Sequence, residues 1–209
     1  QRSRSRFVVD VRRTKSVPVR CVQVSSPDRL YLAGPTCIPT HNSTAGLDVT
    51  RYNARNGIPV YFASLEMSRN EVLDRLFSAE LSINLDHLRT GRLADGERER
   101  LRLRMPEIAL MPIAVDARPN LTVHQIRAAA RAMRRRRGLG LVVVDYLQEL
   151  GAPDRKFENR QLEVSENIRG LKQMAREMDV PVIVLFQLNR LVEHRAAKRP
   201  QLSEGRESG

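Results

Sequence analysis

Four polar side chains stand at positions from which they can carry out phosphate chemistry. Asp145 follows four aliphatic residues, Glu66 follows the run YFASL, and Gln187 follows the run VPVIVLF. Ser43 opens the first helical pattern of the chain. A carboxylate at the end of a hydrophobic strand can orient water on Mg²⁺ beside a nucleoside triphosphate. A second carboxylate can polarise the attacking water, and an amide can respond to the state of the γ-phosphate.

Three of these side chains also have an ordinary structural interpretation. Four aliphatic residues before an Asp occur often by chance, and Asp145 can simply cap a loop. A Glu at a strand end is common on surfaces, and Gln187 can cap its own strand. The prediction of a site therefore depends on convergence, because the carboxyl ends of parallel strands lie at one edge of a sheet, where ligands bind.

The phosphate-binding loop that should complete such a site does not precede Ser43. Such a loop needs Gly-rich backbone amides, then Gly-Lys, then a Ser or Thr that opens a helix. The residues before Ser43 are Thr40, His41 and Asn42, and Gly34 is too far upstream for the usual spacing. Because the Lys ammonium that holds the β- and γ-phosphates is missing, we do not expect GPTCIPTHNS to bind a triphosphate.

Alternating strand and helix patterns must position these residues. Apolar runs typical of buried parallel strands cover residues 59–66, 112–117, 141–150 and 180–190. Helical patterns cover residues 44–56, 68–80, 122–137 and 161–178, and residues 84–105 indicate short helices and loop. Residues 18–33 alternate as a β-hairpin does. The order of the later elements predicts an α/β fold with a parallel sheet flanked by helices.

Composition and charge narrow the class of protein. The formal net charge is +12, which indicates a polyanionic partner such as nucleic acid. The alternative is an organism whose proteins are generally rich in Arg, in which case the charge says nothing about DNA binding. The Arg run within residues 131–138 fits a solvated helix end, where cations suit the helix dipole. Cys21 and Cys37 match neither a metal nor a redox spacing. Because no apolar run is long enough for a membrane span or a secretory signal, we expect a cytoplasmic protein with no membrane partner.

Five segments after residue 42 together resemble one known family. They are STAGLDV, VYFASLEMS, LVVVDYLQEL, PVIVLFQLNR and KRPQLSEGRESG. This set resembles the C-terminal ATPase domain of DnaB-type replicative DNA helicases, which has a RecA-like fold. The resemblance assigns residues 43–209 to that domain, truncated at both ends, with its first strand and phosphate loop missing before Ser43. An alternative assignment is a recombinase-type ATPase of the same fold, and the segments DYLQ and GRESG argue against it.

The resemblance implies cofactors, partners and residue roles. ATP and Mg²⁺ would be the cofactors, single-stranded DNA the substrate of 5′ to 3′ translocation, and a homo-hexamer the active form, with primase or loader proteins as partners. Ser43 and Asp145 would bind Mg²⁺, Glu66 would activate water, and Gln187 would couple the γ-phosphate to the DNA loops. The other residues implied are Thr44 and Arg190 for the nucleotide, and Arg155, Lys156, Arg160 and Arg206 for DNA.

The segment before Ser43 resembles a second family. It reads VPVRCVQVSSPDRLYLAGPTCIPTHN and ends in His41-Asn42. This pattern resembles the C-terminal end of an intein, and we assign residues 1–42 to such a β-rich remnant. In that chemistry the Asn42 amide attacks its own carbonyl with help from His41, and the Ser43 hydroxyl accepts the acyl chain. Arg29 stands where many members have a His, and an Arg cannot shuttle a proton near neutral pH.

Two interpretations of the chain follow from these resemblances. In the first, it is a fragment of a replicative helicase that an intein interrupts at the phosphate loop, and the isolated fragment is inactive. In the second, it is a self-processing intein fragment that is capable only of cleavage after Asn42. The two interpretations are compatible for the parent protein and differ for the polypeptide itself.

Overall fold

The structure is a computed structural model, and it describes residues 31–33, 38–40, 42–151 and 160–186. The strands are β1 (Tyr31–Ala33), β2 (Ile38–Thr40), β3 (Val60–Ser64), β4 (Ile113–Asp116), β5 (Leu141–Asp145) and β6 (Val182–Val184). The helices are α1 (Asn42–Arg55), α2 (Arg69–Leu81), α3 (Leu85–Thr90), α4 (Asp95–Ala109), α5 (Val123–Arg137) and α6 (Arg160–Met178). None of the helices within these ranges is long and apolar enough to cross a membrane.

Four of the strands form one parallel sheet in the order β4-β3-β5-β6. Strands β3 and β5 are neighbours at its centre, and every residue of both is buried. The register places Ser64, the last residue of β3, opposite Asp145, the last residue of β5. The predicted parallel α/β architecture is therefore confirmed, and the ends of these two strands meet at one edge.

Helices cover both faces of this sheet because the strand side chains alternate between the faces. On one face Val60, Phe62 and Val143 form a core with Leu47 of α1 and Val72 of α2. The opposite face uses the alternate residues of the same strands. Its core contains Tyr61, Ala63, Val142 and Val144, packed against apolar residues of α5 and α6. Burial on both faces explains why these strands appear in the sequence as continuous apolar runs.

The four strands of the sheet are all shorter than predicted, and one helix is longer. Strand β5 ends at Asp145, and a 3-10 turn at Leu147–Glu149 follows. Leu147 in this turn and Leu150 directly after it are buried, so they continue the apolar pattern. Strand β6 covers Val182–Val184, and residues from 187 onward lie outside the described part. The region predicted as short helices and loop includes the 15-residue helix α4, which has no buried face to reveal it in the sequence.

The N-terminal β-structure that the structure describes is one short antiparallel pair, and most of the predicted hairpin lies outside the described residues. Strand β1 pairs with β2 in antiparallel fashion, with Tyr31 opposite Thr40 and Ala33 opposite Ile38. The prediction placed the hairpin within residues 18–33, of which only 31–33 are described. The two capping boxes were predicted correctly. Ser68 and Glu71 cap α2, and Thr122 and Gln125 cap α5.

Candidate functional site

The end of β5 places Asp145 inside the protein beside the end of β3. The side chain of Asp145 is fully buried, and its backbone oxygen accepts a hydrogen bond from Leu65 N at 2.7 Å. The peptide bond between Asp145 and Tyr146 is cis. In the turn after β3, the Ser64 hydroxyl donates to Met67 O at 2.7 Å and accepts from Met67 N at 3.2 Å. This turn leaves the Glu66 side chain exposed just beyond the edge of the sheet.

Helix α1 brings Ser43 to the same place. Ser43 lies in the first turn of α1, and its Oγ donates a hydrogen bond to Asp145 Oδ1 at 3.1 Å. The close approach of the helix to the sheet depends on Gly46, one turn further along. A Cβ atom at Gly46 would lie 2.8 Å from Leu185 Cδ1 and 3.6 Å from Val143 Cγ1. The missing side chain therefore lets the opening turn of α1 reach the end of β5.

Asp145 has an unusual electrostatic environment. Burial raises its pKa from the ordinary 3.8 to about 6, the Ser43 hydrogen bond opposes the rise, and the negative charge of Glu66 adds to it. The positive charge of Arg75 acts in the lowering direction. The second carboxylate oxygen, Oδ2, is buried and has no hydrogen bond to any residue in the described part of the chain. One oxygen of a buried carboxylate is thus held by a hydroxyl while the other is left for a ligand.

Two residues near the site were missed in the sequence. Arg75 of α2 acts on the charge of Asp145, and its Nε is buried without a hydrogen bond. Tyr146 follows Asp145, and burial raises its pKa to about 12, assisted by its hydrogen bond to Glu149 at 3.0 Å and by the charges of Glu149, Glu66 and Asp145. No local pattern marks Arg75, whereas the position of Tyr146 directly after the strand-end Asp was a usable signal.

The structure brings together three of the predicted site residues, Ser43, Glu66 and Asp145. Thr44 is the next residue in the opening turn of α1, Asn42 begins that helix, and Arg160 begins α6. The remaining predicted residues lie outside the described part of the chain: His41, Arg155, Lys156, Gln187, Arg190 and Arg206.

The donor set at this edge suits a magnesium ion. Mg²⁺ takes oxygen ligands and is usually held by one or two carboxylates together with waters and substrate phosphates. Asp145 offers an unpaired buried oxygen, and Ser43 offers a hydroxyl oxygen beside it. No group of three or more His, Cys, Asp or Glu among the described residues could hold a metal ion by itself. The residues present therefore fit a cation that phosphates and water help to bind.

Comparison with solved structures defines the class of fold. The chain aligns with a structure described as a DnaB-like replicative helicase and its interactions with primase, with a TM-score of 0.71 and 34% identity. That alignment covers 80% of this chain and 41% of the other. A second solved structure, described as an ATPase domain, aligns with the same TM-score at 36% identity, over 80% of this chain and 61% of that one. The fold is therefore RecA-like.

The family follows from the sequence comparisons. A family model described as the DnaB-like helicase C terminal domain matches residues 40–209, and the chain belongs to this family. The replicative DNA helicase DnaB of Mycobacterium intracellulare is 50% identical over 209 residues, which is 100% of this chain and 36% of the relative. That of Geobacillus stearothermophilus is 46% identical over 146 residues, 70% of this chain and 32% of the relative. The chain thus spans about a third of the length of these curated relatives.

Proposed function

We propose that this chain is part of an ATP-dependent replicative DNA helicase whose nucleotide site lies at the carboxyl edge of the sheet. The observation that carries the proposal is the Ser43–Asp145 pair, in which Asp145 Oδ2 is buried and makes no hydrogen bond to the described residues. A buried charged oxygen is costly unless a cation, or water on a cation, meets its free side. Membership of the DnaB-like family supports ATP hydrolysis as the reaction.

The two residues of this pair would bind the metal ion. Ser43 would contribute its hydroxyl oxygen, and Asp145 would accept hydrogen bonds from metal-bound water or bind the ion directly. With a pKa of about 6, raised mainly by burial, Asp145 is mostly ionised at neutral pH and can do this. Mg²⁺ bound with ATP would neutralise charge on the β- and γ-phosphates.

Glu66 is the residue we assign to the attacking water. Its side chain is exposed just beyond β3, and its negative charge raises the pKa of Asp145. As a general base it would accept the water proton while the water oxygen bonds to the γ-phosphorus. The bond from that phosphorus to the β–γ bridging oxygen would break in the same step, so ADP would be the leaving group. Gln187 would sense the γ-phosphate and transmit its state to the DNA-binding loops. Thr44 and Arg190 would contact the nucleotide.

The proposed substrate is single-stranded DNA, along which the helicase would translocate from 5′ to 3′. The active form would be a homo-hexamer that binds ATP between its subunits. Contacts between cations and DNA phosphates are salt-sensitive and independent of sequence. The description of one structural neighbour with its interactions with primase supports primase as a partner, and loader proteins are proposed by resemblance. The cations assigned to DNA are Arg155, Lys156, Arg160 and Arg206.

We assign residues 43–209 to the ATPase domain and residues 1–42 to an intein remnant. This division explains why Thr40, His41 and Asn42 stand where a Gly-Lys pair would precede Ser43. Without the Lys ammonium the 209-residue chain would bind ATP weakly and would not hydrolyse it. ATP hydrolysis by the purified chain that disappears in Asp145→Asn would contradict this statement.

The helicase proposal is tested by restoring the phosphate loop. Residues 1–42 are replaced by the segment that precedes the matching Ser or Thr in the Geobacillus relative, and ATP hydrolysis is measured with and without single-stranded DNA. We expect DNA-stimulated hydrolysis that Glu66→Gln and Asp145→Asn each reduce by at least about a hundredfold, the first because a general base is lost and the second because a carboxylate at the metal ion is lost. Glu99→Gln, a change at an exposed residue of α4, is the control and should hydrolyse normally. Hydrolysis that survives Glu66→Gln would refute the assigned roles.

A second function, self-cleavage after Asn42, has its own support. An antiparallel β1–β2 pair ends at Thr40, and helix α1 begins at Asn42, so a β-structure passes into the helix within two residues. The family model begins at residue 40, whereas the Mycobacterium intracellulare relative aligns over 100% of the chain. This difference supports an additional N-terminal segment that the family model does not include.

Mass spectrometry of the incubated protein tests the cleavage. Attack of the Asn42 side-chain amide on its own carbonyl would release a polypeptide that begins at Ser43 and leave a succinimide on the N-terminal piece. Both products should be absent from Asn42→Ala, which has no amide. If Asn42→Ala yields the same polypeptide, the cleavage comes from another chemistry and the proposal is wrong. Arg29→His should accelerate the reaction, since a His can relay a proton and an Arg cannot.

A further inference from the structure

The last turn of α5 carries four consecutive arginines, Arg134, Arg135, Arg136 and Arg137, which we name the arginine turn. All four side chains are exposed. Among the described residues, no carboxylate forms a salt bridge with any of them. Helix α5 ends directly after them at Gly138, whose N–H donates to Arg134 O at 3.2 Å. The turn is therefore a compact group of four positive charges that the fold does not neutralise.

Several arginines elsewhere in the fold are paired with acids, in contrast to the arginine turn. On the same helix, Arg127 and Arg131 both form ion pairs with Glu177 of α6. On the other face of the sheet, the buried carboxylate of Glu80 is shared by three guanidinium groups. Those groups belong to Arg51, Arg55 and Arg104. Within the described residues, part of the positive charge is thus balanced by acids, whereas the four charges at the end of α5 are not.

The helix dipole does not account for this concentration. The C-terminus of a helix carries the equivalent of about half a negative charge, and cations in its last turn stabilise it modestly. Four arginines exceed that charge about eightfold. Like charges in one helical turn also repel one another, which costs stability. The interpretation of this run as an ordinary solvated helix end therefore leaves most of its charge unexplained.

The arginine turn lies at the edge of the sheet opposite Asp145. Helix α5 leads into β5 and α6 leads into β6, and these parallel strands begin at one edge, where Val142 N donates to Pro181 O at 3.1 Å. Arg176, in the last turn of α6, adds an exposed cation near this edge, and Asp179 adds one acid. Asp145 ends β5 at the other edge. The two positions are thus separated by the length of the sheet.

We propose that the arginine turn binds the phosphate backbone of a nucleic acid, at a surface separate from the nucleotide site. Guanidinium groups form paired hydrogen bonds with phosphate oxygens, and successive helix residues point about 100° apart, so the four groups fan out around the helix end. The arginine turn contains no aromatic residue on which a base could stack, and the His124 of helix α5 lies in its first turn, at the opposite end. An acidic protein partner is less well matched because interfaces are anchored by aromatic and apolar residues, which this turn lacks. Binding is consequently independent of sequence and steeply dependent on salt.

Fluorescence anisotropy with a labelled DNA duplex and the full 209-residue chain tests the proposal. In the test variant, all four residues of the arginine turn are changed to Gln. We expect the affinity to fall about tenfold or more, and the slope of log K against log salt to decrease in magnitude by at least about 2, since each lost phosphate contact removes about 0.9. Circular dichroism should show an unchanged fold, because all four side chains are exposed.

Two further variants separate a local site from general charge. The control removes the same number of charges from exposed arginines before and within α4, by changing Arg92, Arg98, Arg100 and Arg102 to Gln. It should retain an affinity within about twofold of the parent, and an equal loss in both variants would overturn the proposal. A third variant with Lys at the four positions should retain most of the affinity, because Lys also binds phosphate as a point charge. Loss as severe as with Gln, or tighter binding of polyglutamate than of DNA, would also refute phosphate recognition.

Discussion

Substitution of Asp145 by Asn should change how the stability of the protein depends on pH. A tenfold difference in proton affinity corresponds to about 1.4 kcal/mol, and burial moves the pKa of Asp145 from 3.8 to about 6. Protonated Asp145 therefore favours the folded state at low pH, and this stability is lost as pH rises through about 6. The loss amounts to about 3 kcal/mol by about pH 8. Asn cannot ionise, so the variant should not lose this stability as pH rises.

The difference between the two proteins isolates this effect from all other titrations. Free energies of unfolding are measured by urea denaturation between about pH 4 and pH 8 with EDTA present. The value for Asp145→Asn minus the value for the parent should rise by about 2 to 3 kcal/mol across that range. The Asn amide places donors where Oδ2 is buried, which adds a cost of about 1–3 kcal/mol that does not vary with pH. The test therefore depends only on how the difference in unfolding free energy changes with pH, and not on its absolute value.

Asp116, at the end of β4, provides a control of opposite sign. Its pKa is lowered by its hydrogen bonds with Arg118, at 2.9 Å and 2.7 Å, and with Tyr61, at 2.5 Å. Its ionised form stabilises the folded protein above the ordinary pKa of Asp, and that stability is lost as pH falls. The cost of Asp116→Asn should grow as pH rises. A pH-independent difference for Asp145→Asn, or the same trend in both variants, would refute the reasoning about the buried carboxylate.

Three other variants give specific expectations in the same denaturation assay. Ser43→Ala removes the hydrogen bond to Asp145 and should cost about 1–3 kcal/mol above about pH 6 and less at lower pH, because the bond favours the ionised form. Arg75→Gln removes a charge that lowers the pKa of Asp145, so the pH midpoint of the Asp145 effect should move above about 6, and a downward movement would contradict the assigned charge. Glu80→Gln leaves three arginines without their buried carboxylate and should cost about 3 kcal/mol or more, whereas Glu99→Gln, in an exposed pair, should be nearly neutral. Equal effects at Glu80 and Glu99 would contradict the role of burial.

The sheet was predictable because its strands are buried on both faces. This burial makes residues 60–64 and 141–145 continuous apolar runs, and the polar residue after each run marks the strand end. The end of β5 was placed too late because the buried residues Leu147 and Leu150 extend the same pattern. Helix α4 was underestimated because it has no buried face, and i,i+3 ion pairs lie along it instead.

The site was predictable where chemistry follows local position. Asp145 and Glu66 were found because each follows a strand, and Ser43 because it opens a helix. Arg75 was missed because its effect on Asp145 arises from the packing of α2 against the sheet, which no local pattern records. Glu80 was missed for a similar reason. A Glu in a helix is usually exposed, and its burial here depends on arginines from two other helices, α1 and α4.

Manganese binding is the most direct test of the proposed metal site. Mn²⁺ is a paramagnetic substitute for Mg²⁺, and electron paramagnetic resonance measures its free concentration in the presence of ATP and the chain whose phosphate loop has been restored. A sample without protein gives the amount of Mn²⁺ that ATP alone binds. We expect the parent to bind Mn²⁺ more tightly as pH rises through about 6, because the metal needs ionised Asp145. Asp145→Asn should bind at least about tenfold more weakly, while Asp116→Asn should bind like the parent. Binding that is unaffected by Asp145→Asn, or independent of pH, would contradict a metal site at Ser43 and Asp145.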